Sequence, residues 1–169
     1  FKGVDEALVA GEEYGLRVFE GLEYSNHGTD FIVLGLSREW ISNNPSMKYM
    51  DPEEFLPMFR EAGAFIIQAH PFREADYVRE VRAYPELVDA LEVVNLGNRQ
   101  KIFNDRALEL AKKCGKPMTA GSDCHHFGNI NFGAGICIDH EPKDLEEICS
   151  IIKSGKGYSI FGEDHCALR

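Results

Sequence analysis

A chain of 169 residues with 44% apolar and 27% charged side chains has the make-up of one globular domain, and is neither disordered nor two full domains. Its formal net charge of −10, from 18 basic and 28 acidic residues, repels a phosphate backbone and excludes general nucleic-acid binding. No apolar run approaches the roughly 18 residues that span a bilayer. Five cysteines, odd in number and widely spaced, exclude a disulfide framework or a Cys-x-x-Cys knuckle and fit a reducing cytoplasm.

Taken in chain order, Val4 to Tyr14 reads as a helix ended by Gly15. Val18 to Ser25 and Asp30 to Leu36 read as strands. Asp51-Pro52-Glu53-Glu54 opens a second helix, with Asp51 as cap, Pro52 at the first helical position and Glu54 completing a capping box; Gly63 ends it after about Ala62. Phe65 to Ala69 is a short buried strand, followed by a helical stretch near Asp76 to Val81 and a strand from Ala90 to Val94. Asn104 to Cys114 carries Ala107, Leu110, Ala111 and Cys114 at helical spacing before Gly115. Pro117 to Ala120 and Gly133 to Ile138 are strands. Leu145, Ile148, Cys149 and Ile152 mark one face of a last helix, and Tyr158 to Ile160 is a final strand. Apolar strands separated by helices predict a parallel α/β arrangement in one domain spanning residues 1–169. Whether the sheet is open or closed is not fixed by the pattern.

Four of these strands finish in polar residues able to bind a metal or activate water: Glu23, His70, Asn95, and the pair Asp123 and His125. In parallel α/β proteins the C-terminal strand ends lie on one side, so these residues are expected to converge. Asp123 and His125, two apart in extended chain, point to the same side, while His126 points away. Carboxylates with imidazoles suit zinc, manganese or iron, and a bound ion makes hydroxide near neutral pH. Each residue alone has an ordinary structural reading: an exposed carboxylate for Glu23, a backbone-bonded histidine for His70, a turn cap for Asn95, an Asx turn for Asp123. Their joint occurrence at successive strand ends is what points to a site.

Gly21-Leu22-Glu23, His70-Pro71, Glu92-Val93-Val94-Asn95 and Gly121-Ser122-Asp123-Cys124-His125, in that order, resemble the PHP (polymerase and histidinol phosphatase) family. The segment from Gly133 to Lys156 is similar to that family's closing part. The resemblance implies a distorted (β/α)₇ TIM-like barrel, here partial with its first strands missing, and a two- or three-metal site. It implies Glu23, His70, Asp123 and His125 as metal ligands, Asp123 and His125 as the catalytic pair, and Arg73, Arg99 and Asn95 as substrate contacts. The implied reaction is hydrolysis of a small phosphomonoester, such as a nucleotide or a sugar or amino-alcohol phosphate.

Two departures bear on that expectation. The family's opening His-x-His and Asp-His motifs are absent, and Ile32 stands where many members carry the histidine of His-x-Leu-Gly. The chain is therefore expected to be a fragment or truncated product with an open barrel edge, a place for pairing with a second copy. A non-catalytic module keeping the fold is the rival reading. An amidohydrolase on a similar barrel is a third, disfavoured by the Gly-Ser-Asp-x-His and His-Pro combination. The acidic charge disfavours a proofreading exonuclease.

Overall fold

The computed structural model describes residues 1–126, 133–162 and 165–168, with the backbone alone at 48 and 165–168. Helix α1 (Lys2–Tyr14) ends as the sequence predicts, with Gly15 left-handed at φ 67°. The Leu16 N–H donates to the Gly11 carbonyl at 2.8 Å, the turn-closing bond of a Schellman motif. A Cβ on Gly11 would lie 2.6 Å from Val18 Cγ2, so the bare glycine lets Val18 fold back on the helix. That return keeps residues 16–20 out of the sheet, and strand β1 (Gly21–Asn26) begins later than the apolar pattern suggests.

β1 pairs with β2 (Thr29–Leu34) in an antiparallel hairpin closed by His27 and Gly28 at φ 54° and 86°. Two successive positive φ values are what a two-residue turn between right-twisted strands requires. After α2 (Arg38–Asn43), a 3₁₀ turn (Pro45–Tyr49) and α3 (Pro52–Glu61), β3 (Phe65–Ala69) returns antiparallel to β2. The capping box at α3 forms, with the Asp51 N–H donating to Glu54 Oε2 at 3.3 Å. β4 (Ala90–Asn95) and β5 (Met118–Gly121), joined by α4 (Lys101–Cys114), extend the sheet in parallel, giving the order β1-β2-β3-β4-β5. The wholly parallel arrangement is thus corrected: the hairpin reverses β2 against both neighbours. A separate antiparallel sheet contains β6 (Gly135–Ile138), β7 (Tyr158–Gly162) and β8 (His165–Leu168), with α5 (Leu145–Ser154) between β6 and β7. The described strands form two sheets and close no barrel.

The helix expected near Asp76 to Val81 is also corrected, since residues 71–89 run as turns and loop. The reason is tertiary. Gln68, fully buried in β3, donates its amide to the Arg82 carbonyl at 2.7 Å and accepts the Tyr84 N–H at 2.8 Å. Arg79 N–H donates to the His27 carbonyl, and Arg82 reaches Asn26 Oδ1 at 2.7 Å. These bonds lay the segment along the hairpin end, where a helix would leave Gln68 unpaired.

Phe31, Phe55, Leu56 and Phe59 fill the core between one sheet face and α3, with the Tyr24 ring tilted 47° against Phe55 at a centroid distance of 3.9 Å. Burying each such side chain contributes about 1.5–3 kcal/mol. The opposite face, through Ile32 and Ile67, packs against Ile148, Cys149 and Ile152 of α5, the stripe read from the sequence. Tyr158 joins the two sheets, its hydroxyl donating to the Met118 carbonyl at 2.8 Å. No described helix is long and apolar enough to cross a membrane.

Candidate metal centre

Strand direction decides where the polar residues meet. β1, β3, β4 and β5 run the same way, and β2 runs against them. One side of the sheet therefore collects four C-terminal strand ends and the N-terminal end of β2. The register pairs Ser25 with Asp30, Glu23 with Ile32 and Asp30 with Ala69. Paired residues and those two apart share a face, so Glu23 and Asp30 stand on one face beside His70.

Glu23, Asp30 and His70 each offer a ligand atom, all within 4.8 Å of one another. A shared ion with bonds of about 2.0–2.2 Å needs only small side-chain movement to draw these atoms in. His70 Nε2 lies 3.4 Å from Asp30 Oδ2. Asp30 Oδ1 and His70 Nδ1 are buried and have no hydrogen-bond partner among the described residues. Such orphaned atoms are costly unless something satisfies them. Two carboxylates and an imidazole fit a divalent cation of the zinc, manganese or iron kind.

The electrostatics agree. Burial, with the nearby carboxylates of Asp30 and Asp123, raises Glu23 above the usual carboxylate range. Burial and the Arg73 charge hold the His70 imidazole below its ordinary value, against the pull of Asp30 and Asp123. His70 also sits at φ 28°, a conformation non-glycine residues rarely adopt. Its N–H donates to Glu92 Oε2 at 2.9 Å. Glu92 is 3% exposed, and burial pushes its carboxyl up to about 7, opposed by the Asn95 amide and the His70 N–H.

Asp123 lies beside the trio but outside it. Burial would raise its carboxyl, but the Arg73 guanidinium more than offsets this and holds it below the usual range. Arg73 Nη2 donates to Asp123 Oδ2 and to Asn95 Oδ1, each at 2.6 Å, and Arg73 Nε donates to Asn98 Oδ1 at 2.9 Å. Asp123 too has a positive φ, 51°. His125 Nδ1 lies 3.3 Å from Asp123 Oδ1, with the imidazole 67% exposed. Arg99 is exposed on the loop after β4, and His126 and His27 are exposed as well.

Of the residues singled out from sequence, Glu23 and His70 share the ligand cluster. Asp123, His125, Arg73 and Asn95 form an adjoining group, and Arg99 stands apart from both. Asp30 and Glu92 were missed. The His27-Gly28 pair was the available signal for Asp30, because a two-residue turn there sets Asp30 opposite Ser25. For Glu92 it was a carboxylate interrupting an apolar strand.

Residues 101–156 match the family model described as PHP-associated. A two-domain protein from Bacteroides vulgatus, containing a predicted PHP-like metal-dependent phosphoesterase, superposes with a TM-score of 0.69 at 16% identity. The match covers 95% of this chain and 49% of that one, so the chain spans about half its length. A protein from Bifidobacterium adolescentis, provisionally assigned as a metal-dependent phosphoesterase, gives 0.54 at 16% identity over 88% of this chain and 80% of that one. PsfC from Pseudomonas syringae gives 0.59 at 18% identity over 88% and 61%. No curated protein matches the chain in sequence.

Proposed function

We propose that the chain, whose residues 101–156 match the PHP-associated model and whose fold is similar to PHP-like structures, is a metal-dependent phosphoesterase of the PHP family acting on a small phosphomonoester. The observation that carries this reading is the Glu23–Asp30–His70 cluster with its two orphaned buried atoms. These three side chains would hold the divalent ion. A divalent ion held there would supply Lewis-acid chemistry toward a phosphate ester and a more acidic water near neutral pH.

The chain's own residues supply the rest. Glu92 fixes the His70 backbone through its N–H and, by accepting from Asn95 Nδ2 at 2.8 Å, fixes the Asn95 amide. Asn95 in turn accepts from Arg73, which holds Asp123. His125 stands exposed at the rim, where it can move a proton to or from the leaving oxygen of the ester. Arg99, exposed on the loop after β4 and apart from both groups, is the remaining candidate for a contact to phosphate oxygens. The two sheets are read as part of a (β/α)₇ barrel, and the cysteine pattern as that of a cytoplasmic protein.

The test is the metal content of the purified chain, together with turnover of an aryl phosphate under added manganese or zinc. Bound metal with turnover lost in Glu23→Gln and in Asp123→Ala supports the reading. Turnover untouched by both substitutions would remove it, as would a chain that takes up no ion. The second outcome leaves the rival reading, a non-catalytic module of the same fold.

A further inference from the structure

We propose that the site is built for a single divalent ion, and that the Arg73 guanidinium takes the place beside Asp123 where a second ion would otherwise sit. The proposal rests on the metal-dependent reading above and deepens it.

The two halves of the site have opposite needs. Around Glu23, Asp30 and His70 there are two carboxylates, and among the described residues no Lys or Arg lies within ion-pair distance of either. Two of the buried atoms there lack partners. Around Asp123 the carboxylate is already matched. Arg73 faces three oxygens, Asp123 Oδ2, Asn95 Oδ1 and Asn98 Oδ1, at 2.6, 2.6 and 2.9 Å. A set of carboxylate and amide oxygens is the surrounding that hard divalent cations also seek.

That guanidinium is hard to dislodge. Arginine stays protonated at any working pH, and its planar fork suits several oxygen acceptors at once. The Arg73 and Asp123 side chains are only 11% and 12% exposed, so solvent and salt screen the pair weakly. Breaking a pair in such surroundings strands its partner as an uncompensated charge.

The backbone around the cradle is shaped for this arrangement. A Cβ on Gly97 would lie 2.6 Å from Asp123 Oδ2, 2.9 Å from Arg73 Nη2 and 3.0 Å from Asn95 Oδ1, so a side chain there would force this group to shift. Asp123 reaches Arg73 from a positive-φ backbone, a conformation that something in the structure must hold. Asp123 therefore acts as the anchor of Arg73, with His125 at its outer edge, and the ion is held by the other three residues.

The experiment is manganese binding to the full chain, followed by calorimetry and by electron paramagnetic resonance. The wild type is expected to bind one ion per chain with a mononuclear spectrum. Asp123→Asn, which alters a neighbouring charge and removes no ligand, is expected to change the affinity for that ion by less than about ten-fold. Arg73→Met, confirmed folded by circular dichroism, is expected to take a second ion beside Asp123 and to show spin coupling between the two. Two coupled ions in the wild type would overturn the proposal, as would a loss of about ten-fold or more in affinity on Asp123→Asn. An Arg73→Met chain that folds and still takes one ion would also overturn it, and the Asp123→Asn arm decides the matter if that variant does not fold. A wild type that binds no ion removes the metal reading itself and this proposal with it.

Discussion

Asp30 meets His70 because β2 runs against β3: the register that pairs Asp30 with Ala69 brings Asp30 Oδ2 to 3.4 Å from His70 Nε2. In sequence the two lie in separate elements with two helices between them, and only strand pairing makes them neighbours.

Asp30→Asn should therefore weaken divalent-ion binding by at least about ten-fold, the lower end of what loss of even an outer-shell partner costs. Calorimetric titration with manganese measures this, and an unchanged affinity would show that Asp30 is not a ligand.

Gly97→Ala should destabilise the chain without touching any member of the ligand cluster. The added methyl meets Asp123, Arg73 and Asn95 within 2.6–3.0 Å, and overpacking of this kind costs about 1–3 kcal/mol. Urea unfolding reads the loss; a change below the error of the method would mean that the Arg73 cradle yields freely.

Gln68→Leu should cost about 1–3 kcal/mol, because the Arg82 carbonyl and the Tyr84 N–H lose partners that a leucine cannot replace. Limited proteolysis should then cut first within residues 71–89, the segment that Gln68 pins. Cleavage elsewhere would assign that segment's order to other contacts.

Cys149 is half-buried against β3, while Cys114, Cys124 and Cys137 are exposed. Burial, with Asp89 and Glu146 nearby, pushes its thiol up to about 11 from an ordinary 9.0. The folded thiol keeps its proton where the unfolded one releases it, so the unfolded state binds fewer protons. Cys149 thus contributes a fall in stability as pH rises from 9.0 towards about 11, and none of that fall below 9.0. Peptide-resolved alkylation at pH 8 should modify the three exposed cysteines well before Cys149. Cys149→Ala should flatten the alkaline slope of stability, and an unchanged slope would place its origin in other groups.

Much of the fold is written locally. Gly15, Gly115 and Gly155 stop helices because each takes the left-handed conformation that a side chain resists. Asp51 and Glu54 open α3, and the Ile148, Cys149 and Ile152 stripe of α5 finds the sheet. These features depend on neighbours within a turn or two, so composition and spacing reveal them. Helix α2 was not read, being only six residues long with no buried side chain to give it a stripe.

The sequence by itself singled out the polar residues in and after the strands: Asn95 at the end of β4, His70, Asp123 and His125 just beyond strand ends, and Glu23, which the structure puts in the middle of β1 and not at its end. Tertiary structure alone decided which of them share a centre. Reversal of β2 brought Asp30 in beside Glu23 and His70, and Arg73, reaching across from the loop after β3, drew Asp123 and Asn95 into a group of their own. The reason is physical: which residues a ligand can join depends on strand direction, register and competing charges, and all three are properties of pairs far apart in the chain.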